Sequence, residues 1–373
     1  MKQLKGKPQN ISIEILGKVT FEGVSLFSRK NYIYVAPKAT KFPKGYLAVL
    51  TDVENFDTEQ PTILSVQQLS ELNEGDVVRI NPEGTINVLY EIRSTHNAIM
   101  ATERCNHRCI MCPQPPVLQE KDKTDFNLKL LSLFDKNTKG IGITGGEPTL
   151  VGDNLFVLIE YIKKHLPNSS INLLSNGVRF SDYEYARKLA LIFHHDLQID
   201  VPIFSDIDTE HNGIVGAKTF YKTIEGLYNL AKFRQKIGLR IVVHKQTYKR
   251  LPQLSEFIYR NFPFIFHVAF MQMETVGLAS QNIDELWIDP YDYNAELEEA
   301  VLNLARRNMK VSIYNSQLCI LPESIRNYAK QSISDWKNIY LLECEGCELQ
   351  KECAGFFVSA ENRHSKHIKP FTE

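Results

Sequence analysis

The cysteines of this sequence are clustered rather than scattered. Three lie within eight residues and four lie near the end: Cys105, Cys109 and Cys112, then Cys319, Cys344, Cys347 and Cys353. Cysteines that served only as core packing would be spread more evenly. An odd total, in a sequence whose first residues do not resemble a secretory signal, argues against a disulfide framework. The pattern therefore favours metal or redox chemistry.

The first group has the spacing C-x3-C-x2-C and directly follows residues 98–102, which are predicted to form a strand. Three thiolates on one loop can bind three irons of a [4Fe–4S] cluster and leave the fourth iron open. Clusters that only transfer electrons normally have four cysteine ligands. A zinc site is the alternative, but three close cysteines at a strand end fit it less well. We predict an iron–sulfur cluster with one open coordination position.

Two polar turns follow the next two predicted strands. Gly145, Gly146 and Glu147 end the strand at 140–144, and Ser175 and Asn176 end the strand at 171–175. Glycines let a backbone approach a ligand closely, and a carboxylate can bind an ammonium group. A hydroxyl and an amide can bind a ribose or a carboxylate. An ordinary left-handed turn at Asn176-Gly177 is the alternative for the second turn.

The second group of cysteines begins with Cys319 and continues as C-x2-C-x5-C at Cys344, Cys347 and Cys353. Four thiolates suffice to close a second [4Fe–4S] cluster and leave no free thiol. A structural zinc ion is the serious alternative, because four cysteines also suit tetrahedral zinc. Colour and iron content would decide between the two.

The order of predicted elements divides the chain into three parts. Residues 1–95 are β-rich, with strands predicted at 11–16, 32–35, 46–50, 77–80 and 86–90 and turns at 42–45 and 81–84. Residues 96–314 alternate strands and helices, which is typical of a parallel sheet with right-handed crossovers. Residues 315–373 form a loop-rich tail. We predict an α/β protein with a partial (β/α)6 barrel, an N-terminal β-rich domain and an iron–sulfur tail.

The predicted barrel elements can be placed along the sequence. Its strands are expected at 98–102, 140–144, 171–175, 197–203, 239–244, 266–270 and 311–314, and its helices around 127–134 and at 154–165, 183–193, 220–236, 254–261 and 293–307. The active site of such a barrel lies at the C-terminal ends of its strands. An open doubly wound sheet is the alternative that this pattern leaves open.

Composition excludes some classes of protein. The net charge is -1, with 43 basic and 44 acidic residues, which argues against a nucleic-acid binder held mainly by phosphate contacts. No apolar run approaches the roughly 20 residues needed to span a bilayer. The N-terminal residues lack the apolar segment of a signal peptide. We expect a cytoplasmic protein without a membrane or nucleic-acid partner.

Together these motifs resemble the radical S-adenosylmethionine (SAM) superfamily. The resemblance implies that Cys105, Cys109 and Cys112 bind the cluster whose open iron binds SAM. It implies that the 145–147 turn contacts the methionine part of SAM and that Ser175 and Asn176 contact its ribose or carboxylate. Met111 stands where the superfamily places a residue that packs on the adenine, and core packing is the alternative for it. The tail resembles the SPASM and twitch domains, which hold auxiliary clusters. After Cys353 it lacks the cysteines of a second auxiliary cluster and is closer to twitch.

The resemblance extends to a narrower family. The stretches that carry it are CNHRCIMCPQPP, TGGEPTL, VPIFSDIDTEHN, VVHKQTYKRLPQLSEFI, LWIDPYDY, YNSQLCILP, SISDWKN and ECEGCELQKECAGFF. They are similar to the radical SAM maturases of the His-Xaa-Ser repeat system, specifically its C-type member. This resemblance covers about residues 95–370 and is less clear before them.

The resemblance implies an enzyme that cleaves SAM reductively to a 5'-deoxyadenosyl radical and modifies a ribosomally made, His-Xaa-Ser-rich peptide or protein. It implies two partners, a sister radical SAM maturase and a one-electron reductant. A radical SAM enzyme that acts on a small molecule or tRNA would share every cluster residue and is one alternative. A non-catalytic iron–sulfur partner protein is another.

Overall fold

A computed structural model describes residues 2–38, 43–331, 339–361 and 363–372. The predicted turn at 42–45 begins outside these residues, and the stretch SISDWKN at 332–338 lies wholly outside them. No helix in these ranges is both long and apolar enough to cross a bilayer.

The chain divides into two compact units. The first consists of Met1–Ile99, Lys123–Gly142 and Val157–Ser170, and the second of Met100–Asp122, Ile143–Phe156 and Ile171–Glu373. Every cysteine and every predicted cofactor contact belongs to the second unit. The proposed domain boundaries at 95 and 315 stay a prediction.

The first unit contains a mixed β-sheet. Its strands are β1 (Gln3–Lys5), β2 (Lys7–Gln9), β3 (Ile15–Thr20), β4 (Tyr32–Val35), β5 (Ala48–Leu50), β6 (Thr62–Leu64), β7 (Val77–Ile80) and β8 (Thr85–Tyr90). The strand order is β1-β8-β7-β3-β4-β5-β6-β2. Strands β3 to β6 pair in parallel, whereas β7 and β8 form an antiparallel hairpin. Its core contains Val19, Ile33, Leu50 and Ile80, all fully buried.

The N-terminal predictions were partly correct. The strands at 32–35 and 77–80 and the turn at 81–84 are confirmed, and within that turn Gly84 donates its N–H to the carbonyl of Asn81 at 2.9 Å. The strand predicted at 11–16 was wrong in position, because β3 begins at Ile15. Its apolar residue Ile13 is 71% exposed, so the alternation of apolar residues there does not mark a buried face.

The parallel sheet of the α/β fold supplies the strand ends on which the site is built. Its strands are β9 (His96–Thr102), β10 (Gly140–Gly145), β11 (Ser170–Leu174), β12 (Leu197–Pro202), β13 (Lys236–Val243), β14 (His267–Gln272), β15 (Val311–Tyr314) and β16 (Ala329–Lys330). The helices are α1 (Thr124–Ser132), α2 (Asn154–His165), α3 (Tyr183–Leu191), α4 (Asp208–Val215), α5 (Phe220–Lys232), α6 (Leu251–Asn261), α7 (Leu278–Gln281), α8 (Ile283–Leu286) and α9 (Asn294–Ala305).

The strands of this sheet follow chain order from β9 to β16 without closing into a barrel. The pairs from β11 to β16 are all parallel. The predicted α/β fold with a partial barrel is confirmed. Among the described residues the sheet is longer than six strands, because it includes β15, which was predicted at 311–314, and β16, which lies in the tail.

Helices α4 and α5 are among those that differ from the sequence prediction, and both differ for local reasons. Helix α5 ends at Lys232 instead of 236, because Arg234 adopts a left-handed conformation with φ of 54° and Lys236 already belongs to β13. Helix α4 was not predicted. Few of its residues are apolar, and it ends at Gly216 in the left-handed conformation that glycine adopts easily.

Candidate iron–sulfur and cofactor site

The loop after β9 carries Cys105, Cys109 and Cys112, all half-buried. Backbone hydrogen bonds hold this loop against the end of α4. Arg108 and Ile110 donate their N–H groups to the carbonyls of Val215 and Ile214, at 2.9 and 3.0 Å. The three thiols therefore lie on a loop whose backbone is fixed by hydrogen bonds to the end of α4.

Burial controls the protonation of these thiols. It raises the pKa of Cys105 to about 11, helped by the nearby carboxylate of Glu147. It raises the pKa of Cys109 to about 12, helped by the other two thiols, and it also raises the pKa of Cys112. The thiols are therefore protonated at neutral pH, and metal binding must release their protons.

The turn after β10 is bonded directly to the cysteine loop. Gly146 donates its N–H to the carbonyl of Thr102 at 2.8 Å, and Glu147 donates to that of Arg104 at the same distance. A Cβ on Gly145 would lie 2.0 Å from the carbonyl oxygen of Thr102. Gly145 also has a φ of 146°, which side-chain-bearing residues rarely adopt. The sequence analysis predicted that these glycines let the backbone approach a ligand closely. In the structure Gly145 instead lies close to the protein's own backbone, at Thr102.

Glu147 is buried at the centre of this site, with 1% of its surface exposed. Its Oε1 accepts hydrogen bonds from the N–H of Thr149 at 3.0 Å, the hydroxyl of Thr149 at 2.6 Å and the hydroxyl of Ser175 at 2.8 Å. Its Oε2 accepts from the N–H of Asn176 at 2.6 Å. Burial raises the pKa of Glu147, and these bonds oppose the rise. One carboxylate thus ties the turn after β10 to the turn after β11.

The turn after β11 reaches back to the cysteine loop. The Asn176 side chain donates to the Oδ1 of Asn106 at 2.6 Å and accepts from the N–H of Val178 at 3.0 Å. Gly177 has a φ of 80°, so the Asn176-Gly177 turn also has the left-handed conformation that the sequence analysis gave as the alternative. The structure thereby connects all three predicted motifs. No pattern in the sequence indicated the role of Asn106.

Met111 is buried in an apolar cluster, with 5% of its surface exposed. The cluster also includes Phe204, Ile214, Val215 and Met273. These apolar neighbours favour the alternative that Met111 is a core residue. A contact between Met111 and adenine stays a prediction.

His107, between the first two cysteines, is buried and paired. Its Nε2 lies 2.9 Å from the hydroxyl of Thr219, and burial lowers its pKa to about 4. The imidazole is therefore neutral and braces the cysteine loop against the segment before α5. No pattern in the sequence indicated its pairing with Thr219.

The four tail cysteines line one cavity. Cys319 reaches the other three across 24 intervening residues, and the cavity wall also includes Tyr340, Leu349 and Phe371. The N–H of Phe371 donates to the Sγ of Cys347 at 3.4 Å, and burial raises the pKa values of Cys319 and Cys344. Sequence reasoning missed the contribution of the last residues of the chain.

The fit of both sites to iron–sulfur clusters rests on the donor set. In the described part of the chain, no three His, Cys, Asp or Glu side chains are arranged to hold a single metal ion. Three thiols on one loop and four around one cavity are the donor sets of an open and a closed [4Fe–4S] cluster. The thiols of both groups are suitable ligands for these clusters, and the clusters themselves stay a prediction.

Comparisons with known proteins relate part of this chain to a known family. The profile of the radical SAM superfamily matches residues 99–258. The tungsten-containing aldehyde ferredoxin oxidoreductase cofactor-modifying protein of Pyrococcus furiosus is 30% identical over 172 residues, 42% of this chain and 46% of that protein. The GTP 3',8-cyclase of Petrotoga mobilis is 27% identical over 191 residues, 49% of this chain and 56% of that protein. This chain thus spans about half the length of these curated relatives.

A solved structure shares the fold. Native anSMEcpe with bound AdoMet superimposes with a TM-score of 0.52 and 16% identity, and the match covers 73% of this chain and 92% of that one. The matched profile begins in β9 and ends in α6, and it contains the cysteine loop and both polar turns. Residues 99–258 of this chain therefore match the radical SAM superfamily, and the solved structure supports the fold of this region.

Proposed function

We propose that this protein binds SAM at its first cluster, cleaves it reductively to methionine and a 5'-deoxyadenosyl radical, and uses that radical to modify a ribosomally made peptide. The observation that carries the proposal is the connected site. Cys105, Cys109 and Cys112, the 145–147 turn and the Ser175-Asn176 turn meet at the ends of consecutive strands.

The residues of this site have separable roles. The three thiolates would hold the cluster, which supplies an electron and an open iron for SAM when it is bound. The Oε2 of Glu147 accepts a single hydrogen bond, and a carboxylate oxygen has two lone pairs. One acceptor position therefore remains for the ammonium group of SAM. Ser175 and Asn176 fix the direction of that carboxylate.

The tail would hold an auxiliary [4Fe–4S] cluster through Cys319, Cys344, Cys347 and Cys353. The common cavity of these thiols supports this assignment over scattered structural cysteines. The auxiliary cluster would either accept an electron from the substrate radical or bind the substrate. As an electron acceptor it would make the net chemistry oxidative, as in the formation of a cross-link.

The peptide substrate rests on two kinds of support. The sequence resembles the maturases of the His-Xaa-Ser repeat system over about residues 95–370. The protein anSMEcpe, which shares the fold, has also been solved with AdoMet and a peptide named Cp18Cys. We include in the proposal a His-Xaa-Ser-rich substrate, a sister maturase, a one-electron reductant and a cytoplasmic location.

The test is anaerobic reconstitution followed by incubation with SAM and dithionite. The wild type should bind about eight irons per chain, two clusters of four, and release 5'-deoxyadenosine. Changing Cys105, Cys109 and Cys112 together to Ala should leave about four irons and abolish 5'-deoxyadenosine. A triple variant that kept its full iron content would refute the assignment of the first cluster.

A small-molecule substrate is the second candidate, favoured by the names of the two relatives, which act on a cofactor and on GTP. The same assay discriminates the two. A His-Xaa-Ser repeat peptide should be consumed and should increase 5'-deoxyadenosine formation, whereas stimulation by GTP alone would favour the second candidate. Failure of the reduced, iron-loaded protein to cleave SAM would instead favour a non-catalytic iron–sulfur partner.

A further inference from the structure

One face of β12 is apolar and its other face carries two polar side chains. In β12 the side chains of Leu197, Ile199 and Val201 are buried, whereas those of Gln198 and Asp200 are half-buried. The helices of a (β/α) barrel cover the outer face of its sheet, so the polar face is the inner one. Barrel interiors are usually filled by branched apolar side chains. The departure from that rule indicates a surface that receives a ligand.

Asp200 is held in place on the polar face. Its Oδ2 accepts a hydrogen bond from the side chain of Asn172 at 2.8 Å, and its Oδ1 accepts one from that of Gln198 at 2.7 Å. A Cβ at Gly238, on the neighbouring strand, would lie 1.9 Å from Oδ1. The carboxylate therefore occupies a place that only a glycine beside it leaves free.

Arg240 lies two residues after Gly238. Whereas Asp200 is held by two amide groups, the side chain of Arg240 donates hydrogen bonds to a methionine sulfur. Its Nε and one terminal nitrogen both lie 3.4 Å from the Sδ of Met271, a weak acceptor. Among the described residues it forms no ion pair with a carboxylate. Burial lowers the pKa of Arg240, and the nearby Asp200 opposes that shift. A half-buried guanidinium that has no carboxylate partner in the described ranges is available to bind the anionic group of a ligand.

The position of Arg240 relates it to the predicted SAM contacts. Leu174, Asp200 and Gly238 are in register across three strands, and Ser175 and Asn176 follow Leu174 directly. Arg240 lies two residues further toward the same C-terminal edge. The predicted SAM contacts follow β9, β10 and β11, whereas Arg240 and Met271 lie on β13 and β14. A substrate that meets SAM from the other half of the sheet would pass Arg240.

We propose that Arg240 binds a carboxylate of the substrate and that Asp200, beside it, restricts this site to a single negative charge. The proposal rests on the function proposed above and adds the chemistry of the substrate group. A guanidinium binds a carboxylate through two parallel hydrogen bonds. Arg240 is thus a specificity-determining residue for a peptide that presents a carboxylate to this face, from a side chain or from its C-terminus.

The other titratable groups near the pair add no net charge to it. Lys236, on the same face of β13, pairs with Asp196 at 3.0 Å. Burial lowers the pKa of His267 and raises that of Tyr314, so both are uncharged at neutral pH. Asp200 and Arg240 then carry opposite charges. A carboxylate brings one negative charge to this pair, whereas a phosphate dianion would add a second charge close to Asp200.

Three small probes test the proposal on the reconstituted, SAM-loaded protein by ligand-observed NMR titration. N-acetylglutamate α-amide has a side-chain carboxylate, N-acetylglutamine α-amide has none, and N-acetylglutamine has a free terminal carboxylate. We expect one of the two carboxylate probes to bind on the order of tenfold tighter than the uncharged probe. Which of the two binds tells a side-chain carboxylate from a chain terminus.

Three variants locate the effect. Arg240→Met should abolish the preference for a carboxylate. Lys236→Met removes a positive charge four residues earlier on β13, where the lysine pairs with Asp196 at 3.0 Å. This variant should retain the preference for a carboxylate. Asp200→Asn should increase the preference, and this result remains available if Arg240→Met fails to fold.

Three outcomes would overturn the proposal. They are equal binding of all three probes by the wild type, equal loss of the preference in Lys236→Met, and a loss of SAM affinity in Arg240→Met by the same factor as for the probe. The last would show that the anion belongs to SAM itself. Because the titration requires no turnover, a protein that binds the probe but does not cleave SAM would refute the proposed function and leave this proposal standing.

Discussion

Replacing Glu147 by Gln tests the centre of the site with little change in shape. All four hydrogen-bonding partners of the carboxylate are donors, three to Oε1 and one to Oε2. A glutamine side chain has one oxygen and one NH2 group. We expect its oxygen to take the position with three donors, so that the NH2 group faces the N–H of Asn176.

The magnitude follows from this count. The variant loses one hydrogen bond to a charged group, about 1.5–3 kcal/mol, and leaves a buried N–H unpaired, about 1–3 kcal/mol. Burial raises the pKa of Glu147, so removing the charge recovers part of this loss. We expect the free energy of unfolding to fall by about 2–4 kcal/mol. SAM affinity should fall about ten- to a hundredfold, because the NH2 group would then meet an ammonium.

The assay combines urea denaturation of the apoprotein with equilibrium binding of SAM to the iron-loaded protein. Thr149→Val is the matched control. It removes the 2.6 Å hydroxyl bond to Oε1 and keeps the carboxylate. It should cost about 1 kcal/mol of stability and leave SAM affinity within about twofold.

The two readouts separate the structural role from the binding role. Iron content should be unchanged in Glu147→Gln, because no cluster ligand is removed. Reduced stability with unchanged SAM affinity would show that Glu147 only joins the two turns. Unchanged stability would refute the reasoning from the hydrogen bonds themselves.

Three further predictions concern the cysteine loop, the tail and acid stability. Gly146→Ala would place a Cβ 2.3 Å from the carbonyl oxygen of Arg104, so iron loading at the first site should fail. The control is Gly213→Ala, whose Cβ would have no atom within 4 Å. This variant should fold and bind iron normally. Cys319→Ala should lower the iron content from about eight to about four and abolish peptide conversion; normal iron and turnover would refute a four-cysteine tail site. Burial lowers the pKa of His211 and of His244 to about 4, so each imidazole binds a proton more readily in the unfolded chain. The free energy of unfolding should therefore decline as the pH falls from about 6.5 to about 4. The decline should be at most ~1.4 kcal/mol per pH unit for each histidine. Urea titrations at several pH values should show a smaller decline in His244→Gln, with the exposed His165→Gln as the control.

Some features of the site could be read from contiguous residues. The spacing of Cys105, Cys109 and Cys112 predicted an open cluster, because ligands on one loop need little help from the fold to meet. The polar turns were predicted at strand ends because the alternation of strands and helices is local. The boundaries were less certain, since helix ends such as that of α5 depend on a single left-handed residue.

Other features depend on which strands lie side by side. Asn106 and Asn176 are 70 residues apart, and only the strand order of the sheet brings their side chains to 2.6 Å. Cys319 likewise joins the other tail cysteines only in the folded chain. The unmatched guanidinium of Arg240 is invisible in sequence, because an arginine in a strand shows neither its register nor its neighbours. The sequence alone therefore determined the type of chemistry, through residue types and local spacing. Tertiary structure decided which groups share a hydrogen bond, because long-range contacts depend on strand order and register.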